Sequence, residues 1–288
     1  MLTYLEAIVV GAFQGVTELF PVSSLGHSVL IPALVGGSWA RDLDVSAPES
    51  PYLAFIVGLH VATAAALLLF FWRDWVRIVG GFVTSIRHRR LRTPEERLAW
   101  LIIIATIPVG VSGLLLEHLF RTTLGRPIPA AAFLLANGVV LYVGERLRRR
   151  VPAAEESDSD DRLAQMPIGR GTLIGAAQIL ALLPGISRSG VAMVAGLLRG
   201  LSHEDAARFS FLLATPVILA AGALKIPDLF GPLGNGIHGQ VLAGSIASFV
   251  SAYLAVRFLT RYFHTRTLTP FAIYCALAGA GSLIWLTV

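Results

Sequence analysis

Gln14-Gly15-Val16-Thr17-Glu18-Leu19-Phe20-Pro21-Val22-Ser23-Ser24-Leu25-Gly26-His27 breaks an otherwise apolar stretch with a proline, a carboxylate and a cluster of polar side chains. Proline removes a backbone donor and clashes with the preceding turn, so one helix ends near Pro21 and another starts beyond it. Ser23 or Ser24 is a natural N-cap for that second helix. Gln14 and Glu18 are four apart and share a helix face. His27 falls one turn into the next helix, within reach of both serines. Irregular backbone at membrane depth survives only where protein or a water-filled cavity satisfies it. Residues 2–35 therefore read as a re-entrant helix–loop–helix hairpin.

The membrane setting follows from composition. Of 288 residues, 55% are hydrophobic and only 14% charged, with a mean hydropathy of +0.70. Soluble domains average about 25% charged. Spanning the hydrocarbon core takes roughly 20 apolar residues, and segments 52–72, 98–117, 128–145, 206–224, 239–256 and 270–288 reach about that length. The opening stretch to Phe20 has no basic leader and no small-residue cleavage site, and it carries Glu6 and Glu18, so it reads as mature protein. Cys275 is the sole cysteine, which rules out an intrachain disulfide.

The net charge of +5 does not point to nucleic acid. Arginines cluster at segment ends, at Arg73 and Arg77, Arg87 to Arg92, Arg146 to Arg150 and Arg257 to Arg266, in the positive-inside pattern. With those loops cytoplasmic, 73–97 is a cytoplasmic loop and 118–127 an external one. Six crossings result, with both termini outside. The acidic run Glu155, Glu156, Asp158, Asp160 and Asp161 marks 150–165 as a polar, solvated cytoplasmic linker.

Splitting the chain there exposes a repeat, 1–149 against 166–288. Gly11-Ala12-Phe13-Gln14 matches Gly175-Ala176-Ala177-Gln178, and Leu19-Phe20-Pro21-Val22-Ser23-Ser24 matches Leu182-Leu183-Pro184-Gly185-Ile186-Ser187. Each half has one proline-broken segment, 2–35 or 167–199, followed by three crossings. Three is odd, so the second half lies inverted. The fold class is thus an all-α polytopic membrane protein with an inverted-topology repeat, six transmembrane helices plus two re-entrant hairpins whose tips meet near the midplane. Paired broken segments are the best sequence pointer to a midplane site.

The second tip, Pro184-Gly185-Ile186-Ser187-Arg188-Ser189-Gly190, supplies a different chemistry. Gly185 permits a sharp turn, Ser187 can cap, and Arg188 is a forked cation suited to bidentate phosphate contact. A helix N-terminus adds backbone N–H groups and partial positive charge. Arg188 is also placed to pair with Glu18 when no ligand is present. A carboxylate inside a membrane segment is a functional residue by default. Carboxylate and amide oxygens suit a hard cation, Mg²⁺ or Ca²⁺, and serine with histidine suits nucleophile and base. Together these groups describe phosphoryl transfer at a membrane-embedded diphosphate. His60, inside the crossing 52–72, reads as a buried, hydrogen-bonded histidine. Gly185-Ile186-Ser187-Arg188-Ser189 is not a nucleophile elbow, because Ser189 stands where glycine is required.

The two tips resemble the paired signatures of the bacitracin-resistance family of undecaprenyl-diphosphate phosphatases. Gln14, Glu18, Pro21-Val22-Ser23-Ser24 and Gly26-His27 match the first signature, and Pro184-Gly185, Ser187-Arg188-Ser189-Gly190 the second. Similarity continues through Ala105-Thr106-Ile107-Pro108, Arg208-Phe209-Ser210-Phe211-Leu212-Leu213 and Pro270-Phe271-Ala272-Ile273-Tyr274. The resemblance implies hydrolysis of undecaprenyl diphosphate to the monophosphate carrier of cell-wall synthesis. It also implies a divalent-metal requirement and a site reached from the outer face of the bacterial inner membrane. Carried over by position, Glu18 with Gln14 binds metal or diphosphate, Arg188 holds phosphates, and Ser24 with His27 forms the reacting centre, Ser24 being the preferred nucleophile. Ser23, Gly26, Ser187, Ser189 and Gly190 join Gln14 in substrate binding. Gln14 replaces the first acid of the family's paired-glutamate motif, and Leu25 stands where a small or hydroxylated residue is usual. Membrane lipid is the other expected partner, and a homodimer a candidate assembly. A polyprenyl-phosphate transporter with the same headgroup site is the alternative, since inverted repeats with broken helices are also transporter architecture.

Overall fold

The computed structural model describes residues 2–43, 51–148, 159–231 and 234–288, and every regular element among them is helical. Helix α1 (Tyr4–Leu19) opens with a capping box. The Thr3 hydroxyl accepts from the Glu6 amide, and the Glu6 carboxylate accepts the Thr3 amide at 2.7 Å. Glu6 therefore has a local structural task, satisfying donors that a helix start leaves orphaned. Helix α1 stops at Leu19 and Phe20 turns extended, before α2 (Ser24–Val35) and the short α3 (Gly37–Asp42).

The segments expected to cross coincide with α4 (Pro51–Phe70), α6 (Pro94–Leu124), α7 (Pro127–Arg148), α11 (His203–Phe230), α12 (His238–Tyr262) and α13 (Thr269–Thr287). The last five each contain a stretch long and apolar enough to cross a membrane. Helix α4 passes that test only together with α5 (Trp72–His88), and the two are bent by 86° across Phe71. The chain is accordingly an all-helical, multi-pass membrane protein.

Two expected loops are largely helix. Residues 73–97 hold most of α5, whose Ile78, Gly81 and Ser85 are buried while Val76, Val79 and Val83 are exposed. Arginines interleaved with apolar residues at helical spacing make an amphipathic helix rather than a loop. The expected loop 118–127 shrinks because α6 continues to Leu124. Of the linker 150–165, residues 150–158 lie outside the described residues. The remainder is α8 (Ser159–Gln165), with Leu163 buried and Arg162 paired to Asp205 at 2.7 and 2.9 Å.

The second broken segment comprises α9 (Ile168–Ala177), a 3-10 turn (Gln178–Leu182) and α10 (Arg188–Leu197). The halves exchange partners: α1 packs on α12, and α9 packs on α6. The glycines matched in the repeat explain how. A Cβ on Gly11 would stand 2.2 Å from the Gly244 carbonyl oxygen of α12, and one on Gly175 would stand 1.8 Å from the Ala105 oxygen of α6. Within a bilayer, where apolar burial gives helices little reason to associate, such small-residue contacts carry the packing. Helices α7 and α13 also pack on one another, beneath both tips.

Candidate active site

The two tips meet, and their backbones are stapled together. Ser23 adopts φ 69° and turns its hydroxyl to accept from both the Gly26 amide of its own helix and the Gly185 amide of the other tip, each at 3.2 Å. A left-handed conformation is uncommon for a residue other than glycine, and it persists where surrounding contacts hold it. Gly185, at φ 112°, has no room for a side chain: a Cβ would lie 2.4 Å from the Ala130 oxygen.

Across the junction, Ser187 caps α10 by accepting from the Gly190 amide at 3.1 Å. The Ser189 hydroxyl donates to the Phe20 carbonyl at 3.1 Å, and the Ser187 and Ser189 hydroxyls lie 3.0 Å apart. Ser23, Ser187 and Ser189, expected to hold substrate, also hydrogen-bond the scaffold. Gly26 and Gly190 contribute cap amides, and Gly26 packs against Gly185.

Sequence reasoning passed over a second staple. Asn137, in the middle of α7 and fully buried, donates to the Pro21 carbonyl at 3.0 Å and accepts from the Ser187 amide at 3.0 Å. One carboxamide thus satisfies an orphan carbonyl of the first tip and an amide of the second. A polar amide midway along an apolar crossing was the available signal.

On this scaffold, three helices converge on the Glu18 carboxylate. Its Oε1 accepts from Arg188 Nη2 at 2.8 Å, the unliganded pairing anticipated above. Its Oε2 accepts the Ser24 hydroxyl in a short hydrogen bond and Gln14 Nε2 at 3.1 Å. Nε2 of His60, from α4, lies 3.4 Å from that same oxygen and 3.1 Å from Gln14 Nε2. His60 is hydrogen-bonded, and its partners include the polar cluster as well as the Ile56 carbonyl of its own helix. Glu18 and Arg188 are both nearly inaccessible, with side chains 7% and 13% exposed. A buried charge persists only when paired and hydrogen-bonded. Arg188 Nη1 and Gln14 Oε1 are nonetheless buried without a protein partner.

His27 occupies a different position from the one its spacing suggested. Its Nδ1 donates to the Ser23 carbonyl at 2.7 Å, and Nε2 accepts the Tyr274 hydroxyl of α13 at 2.7 Å, with the two rings stacked. No hydrogen bond joins His27 to the Ser24 hydroxyl among the described residues; that proton points to Glu18. Beside the junction is a cleft with largely apolar walls, including Val9, Phe13, Ile31, Trp39 and Tyr52, and its lining also includes Gln14, Ser24 and His27.

Among the described residues, no group of three or more His, Cys, Asp or Glu side chains is arranged to hold a metal. The Glu18 cluster offers two such groups and an amide. The donor set still suits a divalent cation, because the orphaned Gln14 oxygen is buried beside a carboxylate.

A family profile described as bacitracin resistance protein BacA matches residues 7–281. The undecaprenyl-diphosphatase of Mycolicibacterium paratuberculosis is 76% identical, covering 100% of this chain and 98% of its own. Undecaprenyl-diphosphatase 1 of Frankia casuarinae is 51% identical over 96% of each chain, and the undecaprenyl-diphosphatase of Acidiphilium cryptum 44% identical over 98% of each. The chain belongs to the bacitracin resistance protein family.

Proposed function

We propose, from that membership and the site's geometry, that this chain is an undecaprenyl-diphosphate phosphatase, releasing undecaprenyl phosphate and inorganic phosphate. The observation that carries the chemistry is the Ser24 hydroxyl directed onto Glu18, opposite Arg188. A nucleophile, a base that takes its proton and a cation for phosphate oxygens are what phosphoryl transfer needs. In this reading Glu18 removes the Ser24 proton as Oγ bonds to the terminal phosphorus. The bond to the bridging oxygen breaks and undecaprenyl phosphate departs. Water then cleaves the phosphoserine, giving inorganic phosphate and restoring the hydroxyl. Arg188, released from Glu18 by substrate, offers Nη1 and Nη2 to the diphosphate, where preorganised donors stabilise developing charge. His27 holds the Ser23 turn and thereby Ser24.

Glu18 and Gln14 would hold a divalent cation, Mg²⁺ or Ca²⁺, which supplies charge neutralisation at the phosphates when bound. The full architecture is six crossings in an inverted repeat with two re-entrant hairpins. It is supported by the reciprocal packing of α1 on α12 and α9 on α6. Helices α1, α2 and α10, of 16, 12 and 10 residues, are also shorter than a crossing requires. The arginine pattern supports both termini outside, and family membership supports a site open to the outer face of the bacterial inner membrane. Purified protein should release phosphate from undecaprenyl diphosphate or a shorter isoprenyl diphosphate and stop in EDTA. Lipid-phosphate movement in proteoliposomes with no phosphate release would support the transporter instead.

A further inference from the structure

Helix α5 carries an inference that lies away from the Glu18 cluster and does not rest on its chemistry. Its residues fall into three stripes of like spacing, each offset from the last by one residue and so by about 100° around the helix. Trp72, Val76, Val79, Val83 and Ile86 form the first, and each of these apolar side chains is more than half exposed. Arg73, Arg77, Gly80, Thr84 and Arg87 form the second, which is exposed throughout. Asp74, Ile78, Gly81 and Ser85 form the third, which faces the protein.

The third stripe fixes where α5 sits. Asp74 pairs with Arg208, in the second turn of α11, at 3.0 Å. A Cβ on Gly81 would stand 2.7 Å from the carbonyl carbon of Glu95 in the first turn of α6, and Ser85 accepts the Trp100 indole N–H at 2.9 Å. Helix α5 therefore lies across the starts of two crossings and follows the end of a third, α4, from which it turns by 86°. All three are cytoplasmic ends by the arginine pattern. A helix nearly perpendicular to a crossing, at the level where crossings end, lies in the plane of the membrane surface. There the apolar stripe meets acyl chains and the basic stripe meets headgroups. Trp72, at the bend, is a side chain enriched at that boundary.

Charge decides which headgroups. The only acid in α5 is Asp74, and it pairs with Arg77 and Arg208. Glu96 accepts the Thr84 hydroxyl at 3.0 Å and the amides of Arg92 and Thr93, so it serves the start of α6. Arg89, Arg90 and Arg92 follow the helix and add to the positive charge. We infer that α5 is an interfacial helix whose edge of Arg73, Arg77 and Arg87 binds the phosphates of acidic phospholipids in the cytoplasmic leaflet. The guanidinium fork matches phosphate oxygens, and each basic residue near an acidic membrane surface contributes about fivefold in binding.

Gly80 sits in the middle of the arginine edge with open space beside it. A fluorophore on Gly80→Cys, in the full chain held in phosphatidylcholine nanodiscs, reports lipid at that edge, and Cys275 is buried away from the label. Phosphatidylglycerol spin-labelled near its headgroup should quench it at a mole fraction at least ~10-fold lower than phosphatidylcholine labelled in the same way. The preference should shrink in about 1 M salt, where charges are screened beyond about 3 Å. Arg73→Gln with Arg77→Gln and Arg87→Gln should abolish it. Arg73→Gln with Arg87→Gln, which keeps the Arg77–Asp74 pair, should lower it at least ~5-fold and serves should the triple variant not fold. Equal quenching by the two lipids in the otherwise unaltered chain, or a preference that survives both variants, would overturn the proposal. A label on Val79→Cys should be quenched by either lipid when the spin label is on the acyl chain. Quenching by neither, the outcome if water or a second copy of the chain covers the stripe, overturns it as well. None of these readouts involves phosphate release, so the diphosphatase reading stands or falls separately.

Discussion

The two tips are built to one plan and do different work. Ser23 caps α2 through the Gly26 amide, as Ser187 caps α10 through the Gly190 amide. Aligned by their caps, Ser23-Ser24-Leu25-Gly26 lies over Ser187-Arg188-Ser189-Gly190. This register is one residue off the alignment that matches the prolines, because the turn at Gly185 takes an extra residue between proline and cap. The residue immediately after each cap opens its helix and reaches Glu18: Ser24 with a hydroxyl, Arg188 with a guanidinium. Upstream, Gln14 and Glu18 of the first tip match Gln178 and Ala181 of the second in the repeat. Gln178 donates back to the Gly175 carbonyl, one turn earlier. The shared features of the repeat make the scaffold, and its asymmetries make the chemistry.

That comparison can be broken most severely at Glu18, which has no acidic counterpart in the second tip. Glu18→Gln keeps the shape but removes the base, and kcat for phosphate release should fall by about 10³-fold, within the usual range for a positioned base. Full activity would remove Glu18 from the chemistry. Ser24→Ala, at the position after the first cap, should cost at least ~100-fold, as losses of a nucleophile do, and should abolish any phosphoserine trapped by acid quench. A trapped phosphohistidine would instead reassign the role to His27.

At the matching position of the second tip, Arg188→Ala should lower kcat/KM by about 10² to 10³-fold, with Arg188→Lys recovering only part. A lysine replaces the charge but not the two-pronged geometry. The smaller effects belong to the scaffold. Asn137→Leu leaves the Pro21 carbonyl and the Ser187 amide buried without partners and should destabilise the protein by about 2 kcal/mol in a detergent denaturation series. Ser187→Ala removes only a cap and should cost about 1 kcal/mol. If Ser187→Ala were instead as damaging to kcat as Ser24→Ala, the division of labour between the tips would be wrong.

Much of this was legible in one dimension. Pro21 and Pro184 each end a helix wherever they sit in an apolar run, because a missing amide and a steric clash are local events. Glu18 and Arg188 announced themselves because a charge in a membrane segment is too costly to keep without a task. The matched glycines, Gly11 and Gly175, showed the repeat before their contacts with α12 and α6 could be seen.

His60 and Asn137 were not legible in the same way. A single polar residue on an apolar helix faces lipid, protein or cavity according to the helix's rotation, and local sequence does not set that rotation. Partners 46 and 116 residues away, Gln14 and Pro21, decided it. The scaffold bonds of the serines were hidden for a related reason. A hydroxyl beside a proline can cap a helix, grip the opposite tip or meet a substrate, and Ser23 does the first two at once.

The sequence by itself determined the membrane setting, the all-helical class, the two breaks and the identity of the charged pair, since each follows from local chemistry or composition. Only the tertiary structure decided that Ser24 points to Glu18 rather than His27. It likewise tied Ser23, Ser187 and Ser189 to the scaffold and brought a histidine from α4 to face the carboxylate. Those outcomes depend on how α1, α4, α7, α10 and α13 pack, and packing is a property of distances between residues far apart in the chain.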